Sequence, residues 1–365
     1  MPRIQDGLPL VYRTLFPGFF RNEVPVETKA TCASCAMCQT SAPGAVESVD
    51  GVNRFFRPDT KCCTYHPRLP NYLIGGLLGD DNPGLAEGQR RVRERIASRM
   101  GVTPQWIKTP AKYNLLYNSS RQFFGRSLSM RCPYYVENNP AGNCSIWAYR
   151  EAVCSTFYCK YVAGADGRKF WMTLKTYLTL AEIQLSRYTA LKLLPEYILA
   201  GRDKPEPAGV LSAEDLDDKA LPDKEYAELW GSWAGREEEL YRKSYALVSA
   251  LTAEDFEKII GLDGVVEQTV LEKHYRAVTA PELPRVLKFN PSATVQWLPD
   301  GNLALGSYSE HDAVALPGAA YELLVEFTGK EPVSAVRQRL REQKQADLGE
   351  DVLLELYRHR ILTDA

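Results

Sequence analysis

The chain has 365 residues, of which 45% are hydrophobic and 25% are charged, as is typical of a globular protein with two or three domains. Its formal net charge of -2 at pH 7 provides no overall basic field for nucleic acid or an acidic membrane. The longest apolar run, 72–79, is too short to span a bilayer, and the N-terminal segment lacks the pattern of an export signal. We therefore expect a cytoplasmic protein with no membrane partner.

The first part of the chain, 1–165, is rich in Pro, Gly, Asn and aromatic residues and has little helical periodicity. The exception is 84–100, whose pattern predicts an amphipathic basic helix. All nine cysteines lie between Cys32 and Cys159. We expect 1–165 to be an irregular cysteine-rich domain in which a bound metal replaces part of a hydrophobic core.

The middle of the chain, 166–280, is predicted to be helical. The predicted elements are, in chain order, a long helix over 170–201 with a break at Pro195, a linker or surface loop over 202–223 with a short helix starting at Ser212, and two or three helices over 224–276. Thr252 with Glu254 and Asp255 is suited to begin one of these helices.

The last part, 281–365, alternates short strands and helices. Strands are predicted over 286–289, 294–298, 303–306 and 313–316, and helices over 319–328, 333–343 and 348–361. Strands followed by three short helices suggest a winged-helix-like module. The complete chain is therefore predicted to be an α+β protein with a cysteine-rich domain, a helical middle segment and this C-terminal module.

Cys32, Cys35 and Cys38 follow one another at three-residue intervals in TCASCAMCQ. This C-x2-C-x2-C spacing lets three thiolates converge on one centre, as in bacterial ferredoxins. No cysteine soon after completes the run, so a fourth ligand has to come from elsewhere. The nearest candidates are Cys62 and Cys63, and His66 lies three residues further on.

A second group consists of Cys132, Cys144, Cys154 and Cys159, and four thiolates complete one tetrahedral zinc site or one cluster. Adjacent Cys62 and Cys63 cannot easily bind one tetrahedral metal together, but they can serve two metals or one edge of a cluster. Nine is an odd number, and we expect at least one cysteine to be an inert buried thiol.

In a reducing compartment, clustered thiols indicate metal ligands or redox groups rather than disulfides. The cofactor expected from this pattern is an iron–sulfur cluster, of the [4Fe–4S] type, or iron; the alternative is zinc. Six aromatic residues surround the second cysteine group, and they form either a pocket beside a cluster or an aromatic core (Tyr134, Tyr135, Trp147, Tyr149, Tyr158 and Tyr161).

The segment from Cys132-Pro133 through Cys144, Arg150 and Cys154 to Cys159 resembles the YkgJ-like cysteine-cluster family, which is described as zinc- or iron-chelating. The resemblance covers about 130 residues. Trp147 stands where that family usually has Tyr, Glu151 where it has Pro, and Gln39 where it has a further cysteine. The resemblance implies a class of cofactor and no particular reaction, and a similar cluster is associated with lysine methylation in flagellin-modifying enzymes.

Residues 285–362 resemble the PqqD-like peptide-recognition fold, with Gly329 and Val333 at matching positions and looser agreement around Asp312. This resemblance implies a peptide or protein partner bound by strand addition to a sheet edge. A winged helix that only packs against its neighbours remains an alternative. In a third interpretation 333–343 is a DNA-recognition helix, although a solvated charged helix face is commoner.

The sequence therefore predicts a metal- or iron–sulfur-binding protein that acts on or with a peptide or protein partner, in peptide or protein modification. The alternatives are a metal- or redox-sensing DNA-binding regulator and a non-catalytic protein with structural zinc. Isolated His274, His311 and His359 are expected to be ordinary surface or core residues. Gly75-Gly76 indicates a turn or close backbone packing rather than a phosphate-binding loop.

Overall fold

A computed structural model of the chain describes residues 1–29, 31–32, 35–38, 55–137, 144–196 and 213–365. It is 54% helical and 11% strand, which confirms the α+β class. The predicted helix start at Ser212, the first half of the predicted loop 202–223 and Gln39 lie outside the described residues.

The helices and strands of this part of the chain differ greatly in length. The helices are α1 (Tyr12–Leu15), α2 (Asn71–Gly79), α3 (Ala86–Ser98), α4 (Ala111–Ser119), α5 (Ala152–Thr156), α6 (Gly164–Leu193), α7 (Ala213–Leu216), α8 (Asp223–Trp230), α9 (Glu237–Ser249), α10 (Ala253–Thr279), α11 (Tyr321–Leu324), α12 (Val333–Lys344) and α13 (Glu350–Arg358). The strands are β1 (Leu69–Pro70), β2 (Trp106–Ile107), β3 (Val286–Phe289), β4 (Thr294–Trp297), β5 (Asn302–Gly306), β6 (Val314–Pro317), β7 (Thr328–Pro332) and β8 (Leu362–Asp364).

One hydrophobic core joins the N-terminal segment to the long helices α6 and α10. Phe16, Phe20, Tyr177 and Phe256 form a ring cluster at its centre. Helix α6 ends just before Pro195, as predicted, because a residue that precedes proline is disfavoured in helical geometry.

Helix α10 begins directly after Thr252, its N-cap residue, as predicted. The Thr252 hydroxyl accepts a hydrogen bond from the Asp255 N–H at 3.1 Å, and the Asp255 carboxylate accepts one from the Thr252 N–H at 3.0 Å. This reciprocal pair satisfies N–H groups that the first helical turn leaves free. Gly261 adopts a φ of 63° within the helix span, and it kinks α10.

A second core is formed where α2 packs against α9. The two helices approach so closely that a Cβ on Gly75 would lie 1.8 Å from the carbonyl oxygen of Tyr241. The Gly75-Gly76 pair therefore serves close backbone packing, one of its two predicted roles, and it lies within a helix and not in a turn.

The C-terminal module has its own core. Strand β3 lies between β7 and β8 in one antiparallel sheet, while β4, β5 and β6 form an antiparallel meander. The four predicted strands are present with ends shifted by at most one residue, and the predicted helix 333–343 corresponds to α12. Most of the predicted helix 319–328 is a 3-10 turn followed by the short α11. The winged-helix interpretation of this module remains a prediction.

The predicted boundary at residue 165 falls inside α6, and both helical cores include residues from its two sides. The C-terminal module contacts this body through a buried polar junction. Asp312 accepts a hydrogen bond from the Tyr161 N–H at 3.2 Å and lies 3.7 Å from His359, while Lys29 lies 3.2 Å from the same histidine. No helix among the described residues is long and apolar enough to cross a membrane.

Candidate metal centre

Eight of the nine cysteines line one cavity with a volume of about 530 Å³. The cysteines in its wall are Cys32, Cys35, Cys62, Cys63, Cys132, Cys144, Cys154 and Cys159. The ninth, Cys38, packs behind them. The fold thus brings together residues that the sequence spreads over more than a hundred positions, from the N-terminal loop to the start of α6.

On one side of the cavity, Cys159 is buried with Met37 and Phe56, and Cys35, Cys38 and Cys62 pack against these residues. Cys38 ends a 3-10 turn, Ala36–Cys38, that begins directly after Cys35, and the Cys38 N–H donates to the Cys35 carbonyl at 2.9 Å. The Phe56 N–H donates to the Met37 carbonyl at 2.8 Å, which ties this turn to the chain segment leading to Cys62.

On the other side, Cys63 and Cys144 pack against the core that contains Cys132. The Cys132 N–H donates to the Cys63 carbonyl at 2.8 Å, and an isolated β-bridge pairs Tyr135 with Cys144. These backbone contacts bring three thiols that are distant in sequence to one side of the cavity.

The short helix α5 delivers Cys154. Glu151 stands at its N-cap, and its carboxylate accepts hydrogen bonds from the N–H groups of Val153 and Cys154 at 2.8 and 2.9 Å. A capping carboxylate satisfies N–H groups that the first turn leaves free, and its charge suits the positive end of the helix. The same carboxylate interacts with a second buried acid, Glu182, which accepts from the Ala152 N–H at 2.6 Å.

The cysteine-rich wall is an unfavourable place for an uncompensated negative charge. Burial raises the pKa of Cys32 to about 11 and those of Cys132 and Cys159 to about 12. These thiols are therefore protonated at neutral pH in the absence of a cation, since burial disfavours the charged form. A bound metal ion reverses this preference because it replaces the proton on sulfur.

Cys35 behaves differently. A hydrogen bond from Cys38 lowers the pKa of Cys35 to about 6, and N–H groups of Met37 and Cys38 act in the same direction against the effect of burial. The same thiol pair raises the pKa of Cys38 above its ordinary value. Cys38 therefore acts as a hydrogen-bond donor behind Cys35.

Two fixed cations border the cavity. The Arg150 guanidinium lies 3.4 Å from the centre of the Trp147 ring and donates to the Cys154 carbonyl at 3.1 Å. The Lys61 ammonium donates to the Cys32 carbonyl. Positive charge held at these positions favours an anionic thiolate centre in the same cavity.

The aromatic residues divide between cavity and core. Tyr134, Tyr135, Trp147 and Tyr158 line the cavity, which supports the pocket interpretation for these four. Tyr149 and Tyr161 belong to the two helical cores. The other aromatic residues of the wall are Phe56, Tyr65, Tyr117, Phe124 and Phe157.

His66 is not among the described residues that line the cavity. Its Nε2 donates to the Arg131 carbonyl at 3.0 Å, and its ring stacks on Tyr113 with 3.6 Å between ring centres. Burial lowers the pKa of His66 to about 4, so the ring is neutral at pH 7. These contacts explain the position of His66 without a metal, so His66 is not one of the proposed ligands.

The cysteines of the cavity wall are of the type that binds the predicted cofactor. Thiolates are the ligands of iron–sulfur clusters and of four-cysteine zinc sites, so the donor chemistry fits. Within the ranges that the structure describes, however, no three His, Cys, Asp or Glu side chains form a group that could hold a metal ion. The cavity therefore presents suitable ligands in an open arrangement, and binding would have to draw their sulfur atoms together.

Comparison with family models, with curated proteins and with solved structures gives no match to this chain. The resemblances to the YkgJ-like and PqqD-like families therefore remain predictions, and the site has to be interpreted from its own residues.

Proposed function

We propose that this chain is a metal- or iron–sulfur-binding protein whose thiolate centre occupies the cysteine-lined cavity and acts on or with a peptide or protein partner. The observation that carries the proposal is the presence of eight cysteines in one cavity wall. Thiols clustered in this way are more typical of metal ligands than of inert buried residues. An iron–sulfur cluster bound there would supply one-electron redox chemistry.

The rest of the chain supports such a centre in three ways. Apolar and aromatic side chains line the cavity around the thiols. Arg150 and Lys61 hold positive charge beside them. The Glu151 cap fixes the helical turn that carries Cys154. These roles belong to side chains and backbone groups that are already in place before any metal binds.

A second cavity, of about 230 Å³, supports the proposal that a peptide or protein partner binds this chain. Ala36 and Met37, next to the cysteine cavity, line one side, and Thr294, Gln296 and Gly306 of the β4–β5 hairpin line the other. A peptide held there would lie between the C-terminal module and the cysteine-bearing turn. Serine, threonine and glutamine side chains in its wall suit the polar groups of a peptide backbone.

The DNA-binding alternative receives less support, because acidic side chains pair with the basic residues of α12. Arg337 and Arg341 both contact Asp347, at 3.0 and 2.7 Å, and Lys344 contacts Glu326 at 3.3 Å. Cations engaged in this way contribute little free charge for phosphate contacts.

Iron, zinc and acid-labile sulfide per chain, measured on protein purified without air, test the proposed centre. Iron with matching sulfide is the expected result. Zinc without sulfide would favour the structural-zinc alternative. Protein without iron or zinc, isolated in folded form, would contradict the proposal.

The partner is tested separately with a peptide selected from a random library for binding to the complete chain. Gly306→Trp is expected to weaken binding, because it places a large side chain in the second cavity, where a Cβ on Gly306 meets no atom within 4 Å. Gln338→Trp, on an exposed position of α12, is the control. Equal affinities of the two variants would remove the second cavity from the proposal.

A further inference from the structure

Cys35 and Cys38 are the two ends of a C-x-x-C sequence, CAMC. The Cys38 N–H donates to the Cys35 carbonyl at 2.9 Å, so the four residues form a closed turn. A turn with this hydrogen bond holds its first and last Cα atoms within about 7 Å of each other, and a disulfide needs a Cα separation of about 4.4–6.8 Å. The turn therefore holds two thiols at a separation suited to a disulfide.

The centre of this turn is fixed to the rest of the fold. The Met37 side chain is buried beside Phe56 and Cys159, and the Met37 carbonyl accepts a hydrogen bond from the Phe56 N–H at 2.8 Å. Cys38 faces the same chain segment, since its Sγ lies 3.8 Å from the Arg57 carbonyl oxygen. These contacts hold the thiol pair in place without a metal.

The two thiols differ in their access to the cysteine cavity. Cys35 lines the cavity, whereas Cys38 is not among the described residues of its wall. Both are only half-buried, in contrast to the buried Cys132 and Cys159. A molecule in the cavity therefore meets the Cys35 sulfur first, with Cys38 behind it. Thiol–disulfide exchange needs this order, an accessible thiol that attacks and a neighbour that resolves the mixed disulfide.

Polar groups around Cys35 favour its thiolate form. The Cys38 thiol and the N–H groups of Met37 and Cys38 donate hydrogen bonds to its sulfur, and the Lys61 ammonium adds positive charge. These interactions lower the pKa of Cys35 to about 6 in spite of burial. The thiolate is the nucleophile in exchange, and a lowered pKa is typical of the reactive cysteine in C-x-x-C turns. The electrostatics thus agree with the roles that the turn geometry and the access to the cavity indicate.

We propose that Cys35 and Cys38 form a redox-active dithiol that reduces a disulfide substrate, with Cys35 as the attacking thiol and Cys38 as the resolving thiol. The Cys35 thiolate attacks one substrate sulfur, and the other sulfur leaves and takes a proton from water. Cys38 then loses its proton, attacks the Cys35 sulfur and releases the second substrate thiol, which is protonated in turn. The substrate disulfide gains two electrons and two protons, and Cys35 and Cys38 end joined by a disulfide. A small thiol restores the dithiol by the reverse exchange.

This activity goes beyond the proposed function, because it needs two thiols and no metal centre. A metal bound to Cys35 and a bridge to Cys38 are alternative states of the same sulfur, so exchange belongs to the metal-free chain. Ala36 and Met37 of the same turn line the second cavity. The turn therefore borders both the cysteine cavity and the proposed site of the peptide, and the substrate disulfide belongs either to a small molecule or to a protein.

Disulfide mapping of the wild-type chain tests the pair without any substitution. The complete chain is freed of metal with a chelator under argon and equilibrated with mixtures of reduced and oxidised glutathione. Free thiols are then alkylated, and bridges are located by mass spectrometry. A Cys35–Cys38 bridge that opens again in excess reduced glutathione is the expected result. Bridges only between other cysteines, or no bridge in a chain that keeps its circular dichroism, would overturn the proposal.

Turnover with dithiothreitol as the reductant tests the two roles. The wild type should accelerate reduction of glutathione disulfide, of insulin or of both above the rate of dithiothreitol alone; the first substrate indicates a small disulfide and the second a protein disulfide. Cys35→Ser and Cys38→Ser should both lose this acceleration. Without dithiothreitol, however, Cys38→Ser should trap one glutathione on Cys35, a product that a mere folding defect does not give.

Wild-type turnover in Cys35→Ser, or the absence of glutathione on Cys35 in folded Cys38→Ser, would contradict these roles. The metal content of the wild type, measured before the chelator is added, tests the proposed function separately. Exchange by a chain that never held metal would contradict the proposed metal centre and leave the dithiol in place.

Discussion

The close contact between α2 and α9 allows the effect of a substitution on the free energy of unfolding to be predicted. Gly75→Ala would place a Cβ 1.8 Å from the Tyr241 carbonyl oxygen and 2.9 Å from the Arg242 nitrogen. These are backbone atoms of a packed helix and cannot rotate aside, so the two helices have to separate. Overpacking of this kind costs about 1–3 kcal/mol or more, while replacing a helical glycine by alanine returns at most about 1 kcal/mol. We expect a net loss of about 2 kcal/mol in the free energy of unfolding.

Gly79→Ala is the matched control, because it makes the same chemical change at the end of the same helix. There a Cβ would meet only the end of the flexible Arg242 side chain, at 3.5 Å. This variant should unfold at the wild-type urea concentration or slightly above it. Urea unfolding of the complete chain, followed by far-ultraviolet circular dichroism, measures both. Equal midpoints for Gly75→Ala and the wild type would refute the argument that close backbone packing joins these helices.

Three further predictions concern the site and its surroundings. Cys35→Ser and Cys154→Ser should each lose metal, and a full metal content in either would remove that residue from the ligand set. His66→Gln should keep its metal. Because burial lowers the pKa of His66 to about 4, this residue should make the wild-type protein less stable as pH falls from about 6.5 to about 4. Acid-unfolding curves of His66→Gln should lack this contribution. Burial opposes ionisation of Asp312, but hydrogen bonds from His359 and Tyr308 hold its pKa below the ordinary value. The ionised Asp312 carboxylate therefore stabilises the folded chain above about pH 4, and this contribution is lost as pH falls through the lower pKa of Asp312 in the folded state. Asp312→Asn should destabilise the chain by about 1–3 kcal/mol at pH 7 and match the wild type in strong acid. A constant difference between the two proteins at all pH values would contradict this account of the junction.

The sequence predicted those helices and strands that are specified by patterns of neighbouring residues. Helix α3 follows from an amphipathic period, and α10 from the Thr252–Asp255 pair. Strands β7 and β8 were missed because TGKEP is polar and contains Gly and Pro, and LTD has only three residues. Both strands depend on pairing with β3, which no local pattern encodes.

The cysteines illustrate the same limit at the site. Their clustering in sequence predicted that they would meet, and eight of them share one cavity. The position of Cys159 beside Phe56 was not predictable from the sequence, because it depends on where α5 ends, at Thr156, and on the course of the chain after it. The carboxylate of Glu182 was missed for a related reason, since only the packing of α6 brings it beside the start of α5.

X-ray absorption at the iron and zinc edges tests the central claim most directly, because it reports the atoms bound to the metal in the complete chain. A thiolate centre in the cysteine cavity predicts sulfur neighbours at about 2.3 Å and no histidine nitrogen. A first shell of nitrogen and oxygen atoms alone would contradict the account, because it would place the metal outside the cysteine-lined cavity.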